Sequence, residues 1–129
     1  MALFARNEAK LNELKDEIQA QYGDLRMAVC AGDATSDDAV RAAHAKAVKE
    51  LGEITTLVVN AATNLMKPFV FNTMDEWDYI YKLNLKHPML LAQLVLPSMR
   101  KLNKGTIVNI ASRAGTVSVP FATAYSATK

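Results

Sequence analysis

Thr106-Ile107-Val108-Asn109-Ile110-Ala111-Ser112 is the stretch from which the architecture of this chain is read. Up to Ala111 it is β-branched and apolar, without the polar alternation of a half-exposed strand, so it predicts a buried strand. Strands apolar on both faces belong to parallel sheets, whose crossover connections lay helices over both sides. Just before it, Asn103-Lys104-Gly105 ends a helical pattern; after it, the small residues of Ala122 to Lys129 suit a helix start. The local order is therefore helix, strand, loop, helix.

Working back from there, the preceding helix is long. Met74, Trp77, Ile80, Tyr81, Leu85, Leu90, Leu91 and Leu94 recur at helical spacing behind Thr73, a capping residue. Further back, Leu57-Val58-Val59 is a continuous apolar strand. It follows a helix that carries Val40, Ala43, Ala47 and Leu51 on one face, is capped by Thr35 or Ser36, and closes at Gly52. Leu25 to Cys30 is another apolar stretch, and Leu11, Leu14 and Ile18 mark a helix between Asn7 as N-cap and Gly23 as terminator. Ala2 to Ala5 is a short strand at the start. This alternation with short connections predicts an α/β fold, a doubly wound, Rossmann-like parallel sheet, in a single domain over residues 1–129.

Composition narrows the partners. Half of the 129 residues are apolar, and 15 basic residues face 13 acidic ones scattered along the chain, so nucleic acid is not an expected partner. Cys30 is the single cysteine, which excludes an internal disulfide and any multi-cysteine metal site and fits a reducing compartment. His44 and His87 have no Cys, His or carboxylate cluster at ligand spacing, and no metal is expected. There is no apolar run of about eighteen residues, and Met1 to Arg6 is too short for the core of a signal peptide. A soluble, cytoplasmic chain without a membrane segment is the expectation.

Tyr125 and Lys129 are four residues apart, so on a helix they share a face, with Cβ atoms roughly 5 to 6 Å apart. A phenol is a poor acid–base group near neutral pH, and an ammonium beside it favours the phenolate. Ser112 follows a predicted strand at its carboxyl end, where open α/β sheets bind ligands, and its hydroxyl can hydrogen-bond a substrate carbonyl. With four tyrosines in the chain, a Tyr-x-x-x-Lys also arises by chance. Context must decide.

In context, Ile110-Ala111-Ser112 with Tyr125-Ser126-Ala127-Thr128-Lys129 resembles the short-chain dehydrogenases/reductases, whose active site pairs such a serine with Tyr-x-x-x-Lys. Asn84, in Leu83-Asn84-Leu85-Lys86, matches the family's fourth catalytic residue; the bland alternative is a solvent-facing helix asparagine. Pro88 has no N–H, which deprives the Asn84 carbonyl of its helical partner and frees it for a relay water toward Lys129. Asp33-Ala34 resembles the family's adenine-contacting aspartate and its neighbour, against an ordinary acidic loop residue. Asn60-Ala61-Ala62 resembles the Asn-Asn-Ala-Gly turn beside the cofactor, with Val59 and Ala62 as departures, against a plain strand-to-loop turn. Arg6 after Ala5 stands where a basic residue accompanies NADP, against an ordinary surface arginine. The resemblance thus implies Asn84, Ser112, Tyr125 and Lys129 as catalytic residues. It implies Arg6, Asp33, Ala34, Asn60, Ala61 and Ala62, with Tyr125 and Lys129, as cofactor contacts. NADP(H) is favoured and NAD(H) is the alternative. The implied reaction interconverts a small-molecule ketone and a secondary alcohol by hydride transfer, in a complete protein that forms a homo-oligomer. Trp77, Tyr81 and the methionines read as packing.

The family opens with a strand and a glycine-rich, pyrophosphate-binding turn that has no counterpart here, and the later substrate region has none either. Residue 1 thus corresponds to the family's second strand, and the chain reads as part of a member. The missing strand belongs between two that are present, so these are expected either to face a gap or to pair directly in a different order. An alternative reading is a non-enzymatic fragment that acts through protein contacts along Trp77 to Leu102.

Overall fold

Three helix starts are set by side chains that accept otherwise unpaired N–H groups. The computed structural model, which describes residues 1–129, has Asn7 accepting from Lys10 N–H at the start of α1 (Glu8–Tyr22). Ser36, rather than Thr35, accepts from Ala39 N–H at the start of α2 (Asp37–Leu51). Thr73 forms a reciprocal capping box with Glu76 at the start of α3 (Met74–Tyr81). Gly23 and Gly52 end α1 and α2 with φ of 86° and 87°, a region that a Cβ disfavours.

The strands are β1 (Ala2–Ala5), β2 (Ala28–Ala31), β3 (Thr56–Val59) and β4 (Thr106–Asn109). Two are shorter than the apolar runs predict. Leu25 stays outside β2 because its N–H donates to Gly23 O at 2.8 Å while Gln19 Nε2 donates to its carbonyl at 3.0 Å, holding it in a turn. β4 stops at Asn109, ahead of Ile110 and Ala111.

The long helix expected from Thr73 onward is interrupted. After α3 the chain makes a π-turn over Lys82–Lys86, in which His87 N–H donates to Lys82 O, and then enters α4 (His87–Lys101). Pro88 accounts for the change: it offers no N–H to the ladder, and its ring would press on the carbonyl four residues back, that of Asn84. The widened turn takes up that misfit and places Asn84 at its centre. The last helix is α5 (Thr123–Thr128).

β1 and β2 pair in parallel, with Leu3 opposite Val29; β3 and β4 pair in parallel, with Leu57 opposite Ile107. The two ribbons are separate sheets, so the chain leaves the gap open instead of closing it by direct pairing. Helices bridge the halves, because α2 packs on β1 and β2 and also on α4, which reaches β3. Phe4 of β1 meets the ring of His87 at 6.2 Å between centroids, and Lys86 Nζ pairs with Asp37 Oδ2 at 2.9 Å.

The expectation of strands covered on both sides is only partly met. Val59 is the single buried residue of β3, Val58 is 57 % exposed, and β4 has none buried. With one partner strand each and α4 packed mainly against β3 of that pair, the second ribbon lacks the cover its composition is suited to. The apolar core lies instead under the helices, where Val40, Ile80 and Val95 are the largest fully buried side chains.

His87 is buried, and neither ring nitrogen makes a hydrogen bond of sound geometry. Burial holds its pKa below the ordinary 6.5, while the nearby Leu83 carbonyl opposes the shift weakly.

Candidate functional site

Each strand runs at its carboxyl end toward a residue singled out from the sequence. β1 leads into Arg6, which is exposed. β2 leads through Gly32 to Asp33. A Cβ on Gly32 would stand 3.0 Å from the Phe4 ring and 3.2 Å from the Ala39 Cβ, so glycine lets this loop close against β1 and α2. Asp33 Oδ1 accepts from Thr35 N–H at 2.8 Å and from Thr35 Oγ1 at 2.9 Å. Those two bonds, assisted by the charge of Arg6, hold the Asp33 carboxyl below its ordinary value. Ala34 lies half-buried between them. Asn60, Ala61 and Ala62 follow β3 as an exposed, irregular segment.

β4 leads to Ser112, half-buried, whose Oγ accepts from Ala114 N–H at 3.1 Å and caps the short 3-10 turn Arg113–Gly115. That turn rests on the end of α5: a Cβ on Gly115 would fall on the main-chain carbonyl of Lys129. Lys129 in turn extends its ammonium to Ile110 O at 2.8 Å, just before Ser112, and passes over the Tyr125 ring with Nζ 5.9 Å from the centroid. The elements that carry Ser112, Tyr125 and Lys129 therefore pack together where β4 gives way to the 3-10 turn and α5.

Asn84 joins this group through its side chain. It is 6 % exposed, so the solvent-facing alternative does not hold. Its Oδ1 accepts from Thr63 N–H at 2.9 Å, and its Nδ2 donates to Thr63 O at 2.9 Å and to Thr128 Oγ1 at 3.1 Å. Both amide functions are used, and the π-turn is tied to the segment after β3 and to α5.

Arg6 and Asp33 thus form one cluster, and Asn84, Ser112, Tyr125 and Lys129 another. Thr63, Thr128, Gly115 and the Ile110 carbonyl hold the second cluster together without having been singled out. Thr128 lies inside the quoted Tyr-x-x-x-Lys stretch and offered a signal, whereas main-chain partners offer none. A cleft of about 260 Å³ opens between Thr63–Leu65 and α3, yet none of Ser112, Tyr125 or Lys129 lines it. It neighbours the cluster and is not its mouth.

No helix is long and apolar enough to cross a membrane.

The family model for short chain dehydrogenases matches residues 1–129. A probable galactose dehydrogenase of Rhizobium meliloti is 35 % identical over 116 residues, covering 90 % of this chain and 45 % of that protein. Among solved structures, a metagenomic short-chain oxidoreductase in complex with NADP superimposes with a TM-score of 0.89 at 33 % identity, covering 99 % of this chain and 57 % of that one. A 7α-hydroxysteroid dehydrogenase complexed with NADH and 7-oxo glycochenodeoxycholic acid gives 0.91 at 31 % identity, covering 98 % and 49 %. The chain spans about half the length or less of the curated relatives it matches, between 32 % and 54 %. These matches do not favour the non-enzymatic alternative. Matched along its whole length by the family model, and sharing the parallel α/β architecture of these oxidoreductases, the chain belongs to the short chain dehydrogenase family.

Proposed function

We propose that residues 1–129 form part of a Rossmann-like dinucleotide-binding and catalytic domain, in a protein that interconverts a ketone and a secondary alcohol with NADP(H). The observation that carries the reading is the position of Lys129, whose ammonium lies over the Tyr125 ring and on the Ile110 carbonyl beside Ser112. A lysine ammonium over the tyrosine ring, on the carbonyl two residues before a serine, is the kind of set that acid–base work on a carbonyl oxygen draws on.

The donor set fits a phosphorylated dinucleotide. Arg6 offers a cation at the end of β1, close enough to act on Asp33, and Asp33 Oδ1 is already taken by Thr35. Arg6, Asp33, Ala34 and Asn60 to Ala62 would hold the cofactor, and Lys129 and Tyr125 would meet its nicotinamide ribose. When bound, NADP(H) supplies or accepts the hydride.

In the reducing direction, Tyr125 gives its proton to the developing alkoxide while Ser112 hydrogen-bonds that oxygen. Lys129 attracts the negative charge left on the phenol. A relay water on the Asn84 carbonyl returns the proton from solvent by way of Lys129. The NADP and NADP+ complexes of two structural relatives support a nicotinamide cofactor, and the NADH complex of a third keeps NAD(H) as the alternative.

The test is Tyr125→Phe in the whole protein, assayed by NADPH absorbance against a panel of ketones. Turnover is expected to vanish while NADPH binding persists; undiminished turnover refutes the reading. A clear preference for NADH by Michaelis constant overturns the role given to Arg6.

A further inference from the structure

Thr128 is a small residue in the last turn of α5, and a threonine hydroxyl there often bonds back to a carbonyl three or four residues earlier. Thr128 does so: its Oγ1 donates to Tyr125 O at 2.9 Å. Taken alone, that bond is local helix structure. The second bond is not, because the same oxygen accepts from Asn84 Nδ2, 44 residues away, at 3.1 Å.

The two bonds fix each other's direction. A hydroxyl has one proton to give, and giving it to Tyr125 O turns a lone pair toward Asn84. Asn84 is held in turn by both main-chain groups of Thr63. The result is an unbroken run from Thr63 through Asn84 and Thr128 to the main chain of Tyr125.

Lys129 N–H reaches Ser126 O at 3.4 Å, long for such a bond, and Tyr125 O is taken by the Thr128 hydroxyl.

We propose that Thr128 is a positioning residue: by accepting from Asn84 and donating to Tyr125 O, its hydroxyl fixes the turn that presents Tyr125 and Lys129 to the substrate. This rests on the reading of Tyr125 as the acid. Thr128 touches neither substrate nor cofactor in this role and acts through the helix.

Thr128→Val keeps the volume and removes the hydroxyl, and Thr128→Ser keeps the hydroxyl. In the whole protein, kcat is expected to fall about 10- to 100-fold in Thr128→Val, the scale of a displacement near 1 Å. Thr128→Ser should recover most of the loss. Independently of turnover, the Asn84 side-chain amide pair in a ¹⁵N–¹H spectrum is expected to shift in Thr128→Val and to stay near its original position in Thr128→Ser.

An Asn84 amide pair unmoved by Thr128→Val overturns the proposal whatever the turnover. So does a Thr128→Ser variant as slow as Thr128→Val, since the hydroxyl would then not be what matters. If Thr128→Val turns over normally while Tyr125→Phe is inactive, the positioning role falls and the catalytic reading stands. If Tyr125→Phe is fully active, the catalytic reading falls first.

Discussion

The half of the molecule built on β1 and β2 and the half built on β3 and β4 hold their candidate residues by different means. Asp33 is fixed by two bonds to Thr35, two residues away, and Arg6 stands in solvent. In the other half, Asn84 reaches 21 residues back to Thr63 and 44 forward to Thr128, and Lys129 reaches 19 residues back to Ile110. A residue that meets a large, mobile ligand by its charge tolerates a locally ordered loop. Residues that move a proton need atoms held to within a fraction of an ångström, which requires several elements to fix one another. Damage in the first half should therefore stay local, and damage in the second should spread.

Asn84→Ala tests the contrast at its strongest. It strands the N–H and C=O of Thr63 and unties α5 from the π-turn. An unpaired buried polar group costs about 1 to 3 kcal/mol, and Thr63 is half-buried, so a loss of about 2 to 4 kcal/mol is expected in urea unfolding. A loss under about 1 kcal/mol would put Asn84 on the same footing as an exposed loop residue and remove the distinction between the halves.

Gly115→Ala comes next. The added methyl would run into the Lys129 main chain, and overpacking of this kind costs typically about 1 to 3 kcal/mol. The more telling readout is positional: a crystal structure of the variant should show Lys129 Nζ displaced from Ile110 O. If Lys129 stays in place, the 3-10 turn does not hold Lys129 in position.

The same division decides what was legible in the sequence. Local devices were: Asn7 and the Thr73 cap act over three or four residues, and their chemistry is written in adjacent letters. The strand ends leading to Arg6, Asp33 and Ser112 followed from the alternation of apolar runs, whereas strand order left a gap and direct pairing equally open, and the structure has the gap. The π-turn was half visible, since Pro88 announces a disturbance but not the form it takes. The clamp on Thr63 was invisible because its partner is main chain, which every residue possesses. His87 was weighed as a ligand and dismissed for want of a cluster. Its burial against Phe4 depends on how the two halves close over each other, which no local pattern encodes.

His87 lies at that junction and supplies a pH test of it. Its folded pKa is below 6.5 because burial disfavours the imidazolium, so the unfolded chain takes up a proton first as pH falls. Stability is complete above pH 6.5 and declines below it, through the window between the unfolded and folded values. Asp33 and Glu76, lowered from 3.8 and 4.5, act only at more acid pH, so melting between pH 5 and 7.5 isolates the histidine. His87→Phe is expected to flatten the profile in that range. A variant that keeps the full slope would show that another group carries it and that the junction is not sensitive to charge.

Asp33→Asn should do least to the fold and so marks the other end of the contrast. Its Oδ1 can keep accepting from Thr35 N–H and Thr35 Oγ1, so only the charge beside Arg6 is lost. Exposed substitutions of this sort stay within about 0.5 kcal/mol. NADPH affinity, read by fluorescence titration, is expected to change while stability does not, because this carboxylate faces solvent and no other element leans on it. A drop in stability approaching that of Asn84→Ala would mean that the β1–β2 half depends on the charge of Asp33. The local bonds at Thr35 would then be one part of a wider network like the one around Asn84.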